Sequence, residues 1–276
     1  MNEFIYFDTF MQEALYSESG FFNTENVRSS EKGDFLTSPE VSKYFGKILN
    51  QWIQENDLDL NIVEFGSGTG SLIEQINTEN KFAVELSSTA RVELSKKNIQ
   101  NVSSLEELTF KECDLVFGNE VLDNIPCSVA VFKDNKWHEK VVNLEEESFS
   151  YDFVKARKEI IDWIEINQIK GDENIDIEVQ INIDKFLENI IHNLNPKTIL
   201  FFDYGFEQKD RVERKYRSLL RTYKDHHLSV DPILEPGNVD ITYDINFSSV
   251  KRKLKTLGYE SSLLLQRDFL INNGFN

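Results

Sequence analysis

Cysteine and basic charge are what this chain has least of. Only two cysteines, Cys113 and Cys127, occur in 276 residues, and neither lies in a Cys-x-x-Cys pair or at Cys/His ligand spacing. A disulfide scaffold and a zinc site are thereby excluded, and no metal is expected. Lys and Arg number 30 against 48 Asp and Glu, a formal net charge of -18. Nucleic-acid affinity needs a basic footprint that displaces counterions, so nucleic acid is excluded as a partner. A cationic partner, such as a protein bearing an arginine, suits an acidic surface, although acidity alone commonly serves solubility. No apolar run approaches the length of a membrane span, and the start, Met1-Asn2-Glu3-Phe4-Ile5-Tyr6, has no basic n-region. With reduced thiols, these absences point to a soluble, cytoplasmic protein.

The length accommodates one large α/β domain with insertions or two small domains. Phe4, Phe7, Phe10, Met11, Ala14 and Leu15 fall at helical spacing and predict an amphipathic helix from Glu3 to about Tyr16. The polar stretch Asn23 to Lys32 has little to bury and reads as an exposed loop. Thr37-Ser38-Pro39-Glu40 then opens a second helix, with Ser38 as cap and Val41, Phe45, Ile48, Leu49 and Trp52 as its apolar face. From Asn61 the pattern changes to short apolar strands alternating with helical segments, the mark of parallel βαβ units. The strand candidates are Asn61–Phe65, Lys81–Leu86, Asp114–Phe117 and Thr198–Asp203. Val129–Phe132 and Val141-Val142 flank Lys133-Asp134-Asn135-Lys136 as a hairpin that interrupts the alternation, and a helix follows around Ala156–Glu165. Phe247–Leu257 reads as a helix closed by Gly258, and Tyr259–Leu265 as a late strand. The expected fold class is α/β: a Rossmann-like sheet over residues 61–127 and 183–276, a helical cap over 1–60, and a hairpin and helix insertion over 128–182.

The first strand of the alternation runs into Glu64-Phe65-Gly66-Ser67-Gly68-Thr69-Gly70, with a helix expected from Leu72. Glycine at Gly66, Gly68 and Gly70 lets a ligand approach backbone N–H groups that side chains would screen. The spacing is Gly-x-Gly-x-Gly, whereas dinucleotide enzymes use Gly-x-Gly-x-x-Gly, which tilts the ligand away from NAD. Glu64 supplies a carboxylate suited to an amine, and Glu85 closes the next strand where a carboxylate can accept both hydroxyls of a ribose. One ligand carries both groups: S-adenosylmethionine. A structural turn and a solvated strand end would use the same residues, and Gly70 can serve tight packing alone.

Several segments resemble the MidA-like methyltransferases, a family that includes a mitochondrial complex I assembly factor that methylates a protein arginine. The resemblance rests on Gly33-Asp34-Phe35-Leu36-Thr37-Ser38-Pro39-Glu40, Glu64–Gly70, Val84-Glu85-Leu86-Ser87 and Asn119-Glu120-Val121-Leu122-Asp123-Asn124-Ile125-Pro126. Later segments are Glu178-Val179, Asp203-Tyr204-Gly205, Arg221, His226, Asp231-Pro232, Asp240-Ile241-Thr242 and Phe247. Together they run nearly end to end, in order. Asn124 stands where a small residue is usual and Asn246 where aspartate is common, and the insertion is short.

The resemblance implies a class I methyltransferase sheet, a helical cap, an insertion that helps form the substrate cleft, and S-adenosylmethionine as donor. It also implies an arginine of a protein, such as a respiratory-complex subunit, as acceptor. Methyl transfer from a sulfonium is a displacement that asks the protein mainly to position two reactants. Glu120 and Asp123 are then the carboxylates expected to hold the guanidinium, with Asn119 near the transferring methyl. Asp34 and Thr37 are expected to fold over the cofactor as a lid, although Ser38-Pro39-Glu40 also satisfies a plain helix cap. Glu178, Asp203 and His226 are second-rank candidates for the substrate side. The competing readings are a small-molecule methyltransferase and a cofactor-binding assembly protein without turnover.

Overall fold

The parallel alternation expected from Asn61 onward is realised within one of two compact units into which the chain divides. The structure, a computed structural model, describes residues 4–23, 43–144, 148–173, 175–213, 218–224, 227–228 and 230–274. Asp34, Thr37, His226 and the helix opening at Ser38-Pro39-Glu40 lie outside the described residues, as do positions 24–32 of the expected loop. The strands begin with β1 (Phe4–Tyr6), β2 (Ile62–Phe65), β3 (Lys81–Val84), β4 (Gln100–Val102) and β5 (Leu115–Asn119). They continue with β6 (Ser128–Lys133), β7 (Lys136–Leu144), β8 (Phe149–Lys155), β9 (Asp176–Val179) and β10 (Thr198–Phe202). The last are β11 (Gly205–Phe206), β12 (Leu220–Lys224), β13 (His227–Leu228), β14 (Asp240–Tyr243) and β15 (Ile245–Asn246). The α-helices are α1 (Phe7–Tyr16), α2 (Lys43–Glu55), α3 (Ser88–Lys96), α4 (Lys158–Ile166), α5 (Ile181–Leu194), α6 (Phe247–Thr256) and α7 (Gln266–Asn272).

The unit of Phe22–Val121, Leu187–Asp203 and Ser261–Asn276 holds a sheet in the order β10-β5-β2-β3-β4, every pair parallel. Strands buried on both faces read as continuous apolar runs, and Ile62, Val63, Leu115, Val116 and Phe117 are inaccessible to solvent. The apolar stripe of α2 packs on this sheet: Phe45 and Leu49 join Ile62, Leu115, Phe117, Phe202 and Phe269, with Phe45 edge-on to Phe202 at 4.9 Å.

The unit of Met1–Phe21, Leu122–Phe186 and Tyr204–Glu260 is built on an antiparallel sheet, β1-β7-β6-β9 with β8 also on β7. The β6–β7 hairpin turns at Asp134 and Asn135, both left-handed at φ 51 and 57, as a two-residue turn matched to strand twist requires. Ile160, Trp163 and Ile164 of α4 pack with Ala130, Ile177 and Val179 of the sheet. Arg157 ties α1 to it, donating to Asp8 at 2.7 Å and to the fully buried Glu139. Asn246 caps α6, its side-chain oxygen accepting from the backbone of Ser248 and Ser249.

Three expectations need correction. Phe4–Tyr6 is a strand paired with β7, not the first turn of α1, because helical and strand spacing overlap over three residues. Tyr259–Leu265 forms no strand; Leu264 and Leu265 are 57% and 65% exposed and lead into α7. Behind the glycine turn stands only a single 3-10 turn, Ile73–Gln75, since too few residues separate Gly70 from β3 for a full helix and its return. By contacts, Met1–Phe21, Leu122–Phe186 and Tyr204–Glu260 form one unit.

Candidate methyl-donor and acceptor sites

The carboxyl ends of β10, β5, β2 and β3 lie side by side along one edge of the parallel sheet, the edge where open α/β sheets bind ligands. Asp203, Asn119 with Glu120, Glu64 with the glycine turn, and Glu85 follow one another along that edge. Gly66, Gly68 and Gly70 are all left-handed, at φ 63, 53 and 80. A Cβ on Gly66 would lie 2.7 Å from Val121 Cγ2, and one on Gly70 2.7 Å from Leu94. Gly70 thus serves the packing of Ile73, Leu94 and Ile99 behind the turn.

Glu85 fastens the turn. Its carboxylate accepts from the N–H of Gly68 and from that of Ser87, both at 2.8 Å, and the Leu86 N–H also lowers its proton affinity. Burial nonetheless raises its proton affinity, against the pull of those N–H groups. Glu64 is 3% exposed, and its Oε2 is buried without a hydrogen-bond partner. Burial pushes its carboxyl up to about 8, the Ser67 hydroxyl pulling it down and the charge of Glu85 adding to the rise. The charge of Lys81 also lowers the proton affinity of Glu64.

At the end of β5, Glu120 has φ 53, a conformation disfavoured for a residue with a long side chain. Two bonds to the end of β10 hold it there: Glu120 N–H donates to Phe202 O at 2.8 Å, and Val121 N–H to Asp203 Oδ2 at 3.2 Å. Asp203 therefore shapes the turn that places Val121 over Gly66. Sequence reasoning passed over Val121, although it stands inside the Asn119–Pro126 motif.

The remaining carboxylates belong to the antiparallel unit. Asp123 is 8% exposed; its Oδ2 accepts from the Thr242 hydroxyl at 2.6 Å, and its Oδ1 is buried without a partner. Burial raises its proton affinity. Asn124 donates to Asp240 and to the Ile241 carbonyl at 2.8 and 3.0 Å. Glu178 is engaged differently: Oε1 accepts from Ser218 at 2.7 Å and from Leu219 N–H at 2.8 Å, so it anchors that loop. Among the described residues no group of three or more His, Cys, Asp or Glu could hold a metal ion. Among them, too, no helix is long and apolar enough to cross a membrane.

Over residues 44–263 the chain matches the model of a family described as "Putative S-adenosyl-L-methionine-dependent methyltransferase". The chain belongs to this family. It is an enzyme, and S-adenosylmethionine is its methyl donor. The resemblance to MidA-like methyltransferases holds in the named relatives as well. The protein arginine methyltransferase NDUFAF7 homolog, mitochondrial, of Drosophila melanogaster is 22% identical over 94% of this chain and 70% of its own length. NDUFAF7 of Mus musculus is 24% identical, covering 97% and 70%, and that of Homo sapiens 22%, covering 97% and 69%. The fold is shared with a crystal structure of a COG1565 superfamily member from Burkholderia thailandensis bound to S-adenosyl-homocysteine. That likeness has a TM-score of 0.81 at 23% identity and covers 92% of this chain and 72% of that one. The expected cytoplasmic location is overturned by the NDUFAF7 relatives, which are mitochondrial. Free thiols do not tell one reducing compartment from another.

Proposed function

We propose that this methyltransferase acts on an arginine side chain of a protein, with Glu120 and Asp123 as the carboxylates that receive the guanidinium. The observation that carries the reading is Asp123: buried, held by Thr242 through one oxygen, and with no partner at the other. Relatives named as protein arginine methyltransferases support the same acceptor. The donor supplies an electrophilic methyl on a sulfonium, which leaves as a thioether when the acceptor nitrogen takes the methyl. Glu64 binds the donor's amino group, and Glu85 accepts the ribose hydroxyls. The free guanidinium has a pKa above about 12, so a proton must leave as the new N–C bond forms. Asp123, whose proton affinity burial raises, is the group to take it. Asn119 orients the transferring methyl, Asp203 holds the Asn119–Val121 turn, and Glu178 shapes the acceptor side from the 128–182 insertion. Among proteins, a respiratory-complex subunit is the first to test, on the strength of the family resemblance.

The test is transfer of labelled methyl from S-adenosylmethionine to total cell protein, followed by acid hydrolysis and separation of amino acids. Label in methylarginine is the expected result. Label confined to small molecules, or to another amino acid, would replace the arginine reading.

A further inference from the structure

Strand β14 and the residue just past its end carry Asp240, Thr242 and Asp244 at alternate positions, all three buried. Thr242 stands opposite Arg221 of β12 in the antiparallel register, which makes the two side chains cross-strand neighbours. Arg221 pairs with Asp244 through Nη2, and its Nε is buried without a partner. The Leu122–Asn124 turn meets this strand through three side chains: Asp123 on Thr242, Asn124 on Asp240, and the Tyr243 hydroxyl, which donates to the Ile125 carbonyl at 2.6 Å. The second joins two side chains, and the third holds the backbone. The Thr242 hydroxyl acts on the Asp123 carboxylate itself and holds its Oδ2, which restricts rotation of the carboxylate.

A threonine hydroxyl buried against a carboxylate is a costly arrangement if its purpose is packing alone. Valine fills the same volume without burying a second polar group, and it suits a strand as well. What the hydroxyl adds is orientation and charge control. We propose that Thr242 is a positioning residue for methyl transfer: by holding Oδ2 of Asp123 it turns Oδ1 toward the nitrogen that accepts the methyl. The inference rests on the reading of Asp123 as an acceptor-side carboxylate. Charged groups facing Asp123 are Arg221 from β12, which favours the ionised form, and Asp244 beyond β14, which opposes it; Asp240 is occupied by Asn124. The Thr242 hydroxyl belongs with Arg221 in favouring ionisation. Its loss both frees the carboxylate to rotate and raises its proton affinity further.

The experiment compares Thr242→Val, Thr242→Ser and Thr242→Ala with the wild type in full-length protein. The rate of methylarginine formation in total cell protein is followed across pH, alongside calorimetric affinity for S-adenosylmethionine and a thermal unfolding midpoint. Thr242→Ser should run within about twofold of wild type. Thr242→Val and Thr242→Ala should fall ten- to a hundredfold, with the acid limb of the pH–rate profile moved to higher pH and donor affinity unchanged. Wild-type rates and profiles in the valine and alanine variants would overturn the proposal, as would a serine variant as slow as valine. Absence of methylarginine with the wild type would instead remove the arginine reading on which it stands.

Discussion

Lowering the pH from 7 to 6 should weaken donor binding about tenfold, and Glu64 is the reason. Its carboxyl is buried, with one oxygen unpartnered, and it holds its proton up to about 8. A cationic amino group binds the ionised form, so below that pH the donor must first drive the proton off. At pH 7 roughly one molecule in eleven is ionised, and at pH 6 roughly one in a hundred, a ratio of about nine or ~1.3 kcal/mol. Over this interval the donor's sulfonium and carboxylate keep their charges and its amino group stays largely protonated, so the slope reports on the protein. Calorimetric titration at both pH values, each in two buffers of different ionisation enthalpy, measures affinity and protons released together. Close to one proton should leave per donor bound, and Glu64→Gln should flatten the slope and abolish the release. Equal affinity at the two pH values with no proton release would refute the assignment of Glu64, as would the same slope in Glu64→Gln.

The same carboxyl makes a stability prediction with a definite sign. Its folded proton affinity is raised, so its contribution is whole below about pH 4.5 and is lost as pH rises through about 8; urea unfolding of apo protein should weaken over that window, less steeply in Glu64→Gln. Glu120 sits at φ 53, and Glu120→Gly should raise stability by about 1 kcal/mol in urea titration while suppressing methyl transfer. Gly66→Ala forces a Cβ to 2.7 Å from Val121 at a left-handed position; a loss of about 1–3 kcal/mol and weakened donor binding are expected, with only partial rescue by Val121→Ala. Asp123→Asn should leave donor affinity within about twofold by calorimetry and cut the labelled-methyl transfer rate at least a hundredfold.

The parallel sheet was legible because buried strands announce themselves as apolar runs, and Ile62–Phe65, Leu115–Asn119 and Thr198–Phe202 are such runs. β4 was not, because Gln100–Val102 is a three-residue edge with little to bury. Leu263-Leu264-Leu265 misled for the opposite reason: apolar character predicts burial, yet these side chains face solvent ahead of α7. At the site, residue types and spacing singled out Glu64, the glycines and Glu85, and the family resemblance singled out Asp123. What stayed hidden was which partner each one has. That Glu85 already holds Gly68, that Glu178 anchors Leu219, and that Thr242 grips Asp123 are pairings between distant residues that no local pattern records. The left-handed Glu120 is equally silent in sequence, since glutamate carries no expectation of positive φ.

The most direct measurement is a crystal structure of this chain grown with S-adenosylhomocysteine. The account predicts the nucleoside over the Gly66–Gly70 turn, its ribose hydroxyls on the Glu85 carboxylate and its amino group on Glu64. Density for the compound away from these residues, in crystals where the glycine turn is well ordered, would contradict it.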